Sequence, residues 1–366
     1  MSRPLNDSDP KKWEYAFHCY VKHTLFEKYF EAWSKILGKT FALIGYFDGF
    51  AGRGEYIEGE YGSPLLALKT LTNNEKHYIK CLCVFVEKDP TNYQQLTNLL
   101  DEKKAEFSSK ISIHHHNNEF TDVIPQYLKS MNKIPFFVFL DPFGFKGVPF
   151  SAVKEILIRP RNEVFITLMT RDINRFLKSE DHQNALSELL GGSEHLNGIS
   201  SQEEAANRYA KRLKEYADHV IHYQVGADNK RENIYYLIHA SNHFKGFKIM
   251  KDIMFNQGKK GQFAFRGIKD LQTSSLLDFV EPNREISYMK DFLLRHFRGR
   301  TVTFEEMLEE TYALTNYIEK HYRTACKELE KEKKITIERI SSSTKRGGLK
   351  EKDEITFPKR IQSKLF

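Results

Sequence analysis

Three apolar runs and one alternating segment in the first part of the chain each stop on a polar cluster. FALIGYF leads into Asp48-Gly49-Phe50-Ala51-Gly52-Arg53-Gly54 and IKCLCVFV into Glu87-Lys88; SKISIHHH leads into Asn117-Asn118 and IPFFVFL into Asp141-Pro142-Phe143-Gly144. Apolar runs separated by helical stretches read as parallel strands, and such sheets bind ligands beyond the carboxyl ends of their strands. A glycine-rich turn there lets backbone come close to a ligand. An acid after the second strand can accept both hydroxyls of a ribose, and an amide after the third can meet an adenine amine. The fourth cluster then faces the group that reacts. S-Adenosylmethionine asks for this set in this order: the turn 48–54 for its methionine part, Glu87 and Lys88 for the ribose, and Asn117 and Asn118 for the adenine.

Other chemistries fit less well. GFAGRG lacks the GxGxxG spacing of a dinucleotide turn, and no GK[ST] follows to cradle a triphosphate. A plain tight turn remains the simplest alternative for the glycines alone. His114, His115 and His116 alternate across a strand and cannot all face one ion, so no metal is expected. Cys19, Cys81, Cys83 and Cys326 form no CxxC pair and read as reduced structural thiols, with Cys81 and Cys83 on one strand face. No acidic cluster of the D…ExK type points to a nuclease.

Positioning these clusters takes an α/β body. Residues 1–40 predict an N-terminal helical segment, opened by Ser8-Asp9-Pro10 and striped with aromatics from Trp13 to Trp33 that serve as core contacts. Residues 41–262 predict a Rossmann-like sheet with helices on both faces, carrying a helical insertion at about 176–218. The hairpin HVIHYQV/NIYYLIHAS closes it on an antiparallel note. NQGKKGQ (256–262) is the expected flexible stretch. Residues 286–366 run helix, short strand, two helices and a hairpin with a basic tip, the pattern of a winged helix-turn-helix. Arg171 and Arg175, just after the fifth strand, are expected to line the cleft; a solvated helix start is the plain alternative. Lys345, Arg346, Lys350 and Lys352 suit phosphate contact from the wing.

The 366 residues and net charge of +7 narrow the partners. Residues 321–366 hold 13 Lys+Arg against 7 Asp+Glu, so +6 of the +7 sits there. A neutral body with a basic tail expects nucleic acid, DNA or RNA. No run reaches the ~18 apolar residues that span a bilayer, and the N-terminus has no secretory signal, so a cytoplasmic protein is expected.

DGFAGRG resembles the D-x-F-A-G-x-G first motif of class I methyltransferases, and DPFG their fourth, in the form found in tRNA guanine-26 dimethyltransferases. FDGFAGRG, GSPLLAL, VFVEKDP, FLDPFGF and ITLMTRDINRF together are similar to the bacterial three-Cys-motif partner family, over roughly 20–260 and into the winged-helix tail. That resemblance implies a class I methyltransferase fold with S-adenosylmethionine as cofactor, and a neighbouring radical-SAM-like protein with three cysteines as partner. In the amino-methyltransferases with this motif the Asp side chain and the Pro carbonyl take hydrogen bonds from an exocyclic amine while an aromatic stacks on the base. Carried over, Asp141 and Pro142 hold the amine, and Phe143 or Phe145 stacks. Phe143 stands where adenine enzymes carry a second proline and Gly144 where they carry the aromatic, which leans toward guanine or toward lost activity. Two functions follow: a methyltransferase of a base amine, or a non-catalytic or cofactor-binding partner subunit of a radical-SAM-like three-cysteine protein in nucleic-acid modification, repair or phage defence.

Overall fold

The computed structural model of the chain describes residues 17–177, 179–226, 233–258, 264–265, 282–340 and 348–359. The proposed helix start at Ser8-Asp9-Pro10, Trp13, most of the stretch 256–262, and the wing tip with Lys345 and Arg346 lie outside them. The chain divides into two compact units, the first formed by Met1–Lys259 with Phe263–Asp270, the second holding Leu271–Phe366.

The first unit is an eight-stranded sheet. Its strands are β1 (Leu43–Asp48), β2 (Lys80–Val86), β3 (Ile111–His116), β4 (Phe136–Leu140), β5 (Glu163–Leu168), β6 (His219–Gly226), β7 (Asn233–Ser241) and the short β8 (Ala264–Phe265). They lie in the order β3-β2-β1-β4-β5-β7-β6-β8. Strands β1 to β5 run parallel, and β7 enters reversed between β5 and β6. This is a Rossmann-like, mostly parallel sheet, with the hairpin folded back so that its second strand pairs inward. The parallel strands β1, β2, β4 and β5 are buried almost throughout, as their unbroken Val/Ile/Phe/Tyr content requires. The edge strand β3 instead alternates between half-buried and exposed positions along most of its length.

Period-two alternation sends the strand side chains into two cores. Phe47, Val84, Val138, Leu140 and Ile166 face α4 (Phe120–Ser130), α5 (Phe150–Leu157), α7 (Gln183–Leu190) and α8 (Gln202–Leu213). Tyr46, Cys81, Cys83, Phe137, Phe139 and Phe165 face α1 (Phe17–Leu37), α2 (Ser63–Asn73), α3 (Pro90–Glu102) and α9 (Phe244–Gln257). Both strand cysteines are buried free thiols on one face.

Helix α1 is one of these core walls. Phe26, Tyr29, Phe30 and Trp33 are buried, with Phe26 packed 5.0 Å from Phe139 and Phe30 4.9 Å from Tyr46 between ring centroids. Residues 17–37 are therefore part of the sheet domain's core. Two polar contacts on the inward side of α1 fix its course. Lys22 reaches the end of β4, and Tyr29, two turns on, hydrogen-bonds Glu163 at the start of β5, where His239 also meets Glu163 at 3.0 Å.

The second unit holds α10 (Pro282–His296), β9 (Thr301–Thr303), α11 (Phe304–Thr311), α12 (Glu319–Lys331), β10 (Thr336–Glu338) and β11 (Glu354–Thr356). The strands form an antiparallel sheet in the order β10-β11-β9. Three helices and a three-stranded sheet whose hairpin carries the wing make a winged helix. Thr303 starts α11 with a reciprocal cap to Glu306. Among the described residues, no helix is long and apolar enough to cross a membrane.

Candidate functional site

The strand ends β1, β2, β3 and β4 share one rim of the sheet. After β1 the chain turns through Gly52 and Gly54 at φ of 63° and 86°, a conformation open to glycine and strained for other residues. Helix α2 does not follow at once. Residues 55–61 make a small excursion, closed by a Glu55–Tyr61 bridge and by Gly62 N–H on the Gly54 carbonyl at 2.8 Å, before Ser63-Pro64 starts the helix.

Glu87 holds this turn to β2. Its carboxylate accepts the Gly52 N–H at 2.8 Å through Oε2 and the Asp89 N–H at 2.8 Å through Oε1. Asp89 caps α3 by accepting the Asn92 N–H. Asn117 donates its amide to the Glu87 and Lys88 carbonyls at 2.9 and 3.1 Å, tying the β3 end to the β2 end. Asn118 and Lys88 lie together on an open cleft of 410 Å³ with Asp89, Pro90 and Glu119. The turn 49–54, Glu87, Lys88, Asn117 and Asn118 thus form one connected group.

Asp48 is fully buried at the end of β1. Burial pushes its carboxyl up to about 7, against the hydrogen bonds from Ser63, the Phe50 N–H and Tyr46 that favour its charged form. The Tyr46 hydroxyl donates to it at 3.0 Å and the Phe50 N–H at 3.2 Å. Its place is beneath the rim, as a core group supporting the turn.

Asp141, half-buried at the end of β4, is ion-paired with Lys22 of α1. Burial alone drives the Lys22 ammonium toward neutrality. The charge of Asp141, then Cys19, the hydrogen bond to Asp141 and last Asp48 together outweigh that and leave it raised above the ordinary lysine value. Neighbouring His23 is held neutral, pushed down to about 3 by burial and by Lys22. Its ring lies 5.7 Å from Tyr56 of the excursion loop. Lys22 and His23 were not found by reading strand ends, since α1 precedes the sheet and a lysine in an amphipathic stripe reads as solvated.

Pro142 is buried and Phe143 is 53% exposed. Gly144 has φ of 95° and faces Asp172. The expectation of a stacking role open to Phe145 is corrected: it is 6% exposed and packs on Phe176 and His182, because the left-handed Gly144 turns the chain inward behind Phe143. Arg171 and Arg175 are exposed on α6 (Thr170–Phe176), with Arg175 over the Phe176 ring at 5.1 Å. The three histidines divide as alternation requires. His114 and His116 both meet the Tyr127 hydroxyl, at 2.9 and 2.8 Å, and His115 meets Tyr93 at 2.8 Å. Among the described residues no group of three His, Cys, Asp or Glu could hold a metal ion.

In the winged helix, Lys350 is half-buried and Lys352 exposed beside the wing, where Asp353 accepts the Lys350 N–H at 2.7 Å. Helix α12 adds a row that sequence reading did not single out. Lys320, Thr324, Lys327 and Lys331 are exposed at helical spacing, while Glu319, Glu328 and Glu330 pair with Arg323, Lys290 and Arg339.

The family model of the GMT-like wHTH domain matches residues 263–339. No curated protein matches the sequence significantly. Solved structures similar to the chain include Trm1 from Pyrococcus horikoshii with S-adenosyl-L-methionine, at 10% identity and a TM-score of 0.36, covering 68% of this chain and 61% of that one. The O-methyltransferase TomG from Streptomyces achromogenes with SAM aligns at 12% identity and a TM-score of 0.33, covering 60% and 80%. The METTL16 MTase domain aligns at 12% identity and 0.32, covering 62% and 66%. These likenesses say nothing of substrate.

Proposed function

We propose that the protein is an S-adenosylmethionine-dependent methyltransferase acting on an exocyclic amine of a nucleic-acid base, with the winged helix holding the nucleic acid. The observation that carries this reading is the rim itself. A left-handed glycine turn anchored by Glu87 stands on the same sheet edge as Asp141-Pro142, with Phe143 exposed beside it. The residues fit the cofactor: Glu87 puts a carboxylate, the acceptor a ribose hydroxyl asks for, at the end of β2 beside the glycine turn, and the cleft at Lys88 and Asn118 is open for a base. When bound, S-adenosylmethionine supplies an electrophilic methyl group.

The chain's own residues then bind and orient. Asp141 and the Pro142 carbonyl accept from the target amine, which directs its lone pair; Phe143 stacks on the base; the nitrogen gains the methyl and loses one proton to water. The test is tritium transfer from labelled cofactor to mixed cellular RNA and to DNA, each with and without the three-cysteine neighbour. Transfer to either supports the reading, and silence in all arms overturns it. In the second reading, a non-catalytic or cofactor-binding partner subunit, the Asp141 carboxylate would serve only as the counter-ion of Lys22.

Cofactor affinity should depend on Glu87. Replacing Glu87 by Ala is expected to weaken S-adenosylhomocysteine binding by ~1–3 kcal/mol in calorimetry, because the ribose loses a charge-assisted acceptor. Equal affinity in the variant would place the ribose elsewhere.

Nucleic-acid binding should follow phosphate charge. Neutralising Lys345, Arg346, Lys350 and Lys352 should flatten the slope of log K against log salt by ~3–4 units on duplex DNA, at ~0.9 for each phosphate no longer neutralised. An unchanged slope would move the binding surface to the Lys320–Lys327–Lys331 row.

A further inference from the structure

Lys22 and Asp141 stand 119 residues apart and meet through Nζ and Oδ2. The lysine side chain is 8% exposed and the aspartate 20%. The Lys22 ammonium also lies 6.0 Å from the centre of the Tyr235 ring. The neighbours of Lys22 along α1, Val21, Leu25 and Phe26, are fully buried core. An apolar residue would fit such a position, and burying an ammonium and a carboxylate together is a weak source of stability. The pair is therefore poorly explained as a strut. Its carboxylate belongs to the strand end that the proposed function assigns to the methyl acceptor.

We infer that Lys22 is a positioning and specificity residue of the acceptor site. Bound to Oδ2, it fixes the Asp141 carboxylate and leaves Oδ1 to meet the acceptor. It also sets the sign of the site. The two charges sum to zero, so the pair offers a hydrogen-bond acceptor without a net negative field. A neutral N–H, such as the amine of a nucleobase, gains a bond there. A cationic amine, such as a polyamine or a lysine side chain, meets a carboxylate already neutralised and an ammonium that repels it. This inference rests on the methyltransferase reading and adds to it the reason that bases, not cationic amines, are taken.

The test compares wild type, Lys22→Met and Lys22→Arg for tritium transfer to nucleic acid and to spermidine, with cofactor binding measured in each. Wild type is expected to label nucleic acid and not spermidine. Lys22→Met should lower kcat on nucleic acid about tenfold or more, as a displaced orienting group does, at unchanged cofactor affinity. Its labelling of spermidine relative to nucleic acid should rise. Lys22→Arg, which keeps the charge, should recover most of the transfer. If Lys22→Met does not bind cofactor because it does not fold, Lys22→Gln replaces it. Transfer and selectivity equal to wild type in the uncharged variant overturn the role of Lys22 while leaving the methyltransferase reading intact. Failure of the arginine variant to recover, with cofactor still bound, overturns it as well. A wild type that binds cofactor but labels nothing overturns the reading and this inference together.

Discussion

Asp141→Asn should bind cofactor as wild type does and transfer methyl at least ~10²-fold more slowly. Asparagine keeps the shape of the side chain and one acceptor oxygen, so the turn, Glu87 and the cleft at Lys88 are untouched. Its oxygen is held by Lys22, so an NH2 group faces the target amine, which then has no side-chain acceptor to direct its lone pair, and losing an interaction that orients the reacting atom acts on kcat. Asparagine is the informative choice because it keeps an acceptor oxygen for the buried Lys22 ammonium, whereas alanine removes the hydrogen bond as well as the counter-charge. Single-turnover transfer with calorimetric Kd for both proteins reads the result. Equal rates would make the carboxylate a strand-end cap. Loss of cofactor binding would make it part of the cofactor pocket.

The second large effect is on stability and concerns Asp48. Its folded carboxyl titrates at about 7, against an ordinary 3.8, because burial disfavours its charge. Between those values the folded chain holds a proton that the unfolded chain has released. Asp48 therefore costs stability progressively as pH rises from about 4 to 7, and at pH 8 the full cost applies. A shift of that size corresponds to at most about 4 kcal/mol. Asp48→Asn removes the charge while keeping a partner for the Phe50 N–H. The variant should gain on the wild type by up to that amount between pH 4 and 8, read as a growing difference in Tm. His23 acts in the opposite sense. Its pKa of about 3 in the fold means that both proteins lose stability as pH falls from about 6.5. That loss is common to both and cancels in the difference. A difference independent of pH would mean that Asp48 is charged in the fold.

Much of the scaffold was legible because it is written in local pattern. Apolar runs ending in DGFAGRG, E and DPFG, with an alternating segment ending in NN, gave the parallel strands and their rim, and the alternating hairpin gave the reversed strand. The winged helix followed from helix order and a basic loop. What escaped depends on contacts distant in sequence. Nothing near Lys22 announces that it reaches Asp141. The excursion 55–61 between the glycine turn and α2 is a short polar segment with no period to read. Phe143 and Phe145 look interchangeable in DPFGF until the positive φ of Gly144 sends one outward and the other into the core. Glu87 has a double use that sequence does not reveal, since the acid placed to meet a ribose also ties down the Gly52 N–H.

The most direct measurement of the central claim is a calorimetric titration of the whole chain with S-adenosylmethionine and S-adenosylhomocysteine. The site built from Gly52, Gly54, Glu87 and Asn118 predicts saturable binding of both at a single site per chain, weakened in Glu87→Ala and unchanged in Asp141→Asn. Absence of heat with either ligand at millimolar concentration would contradict it.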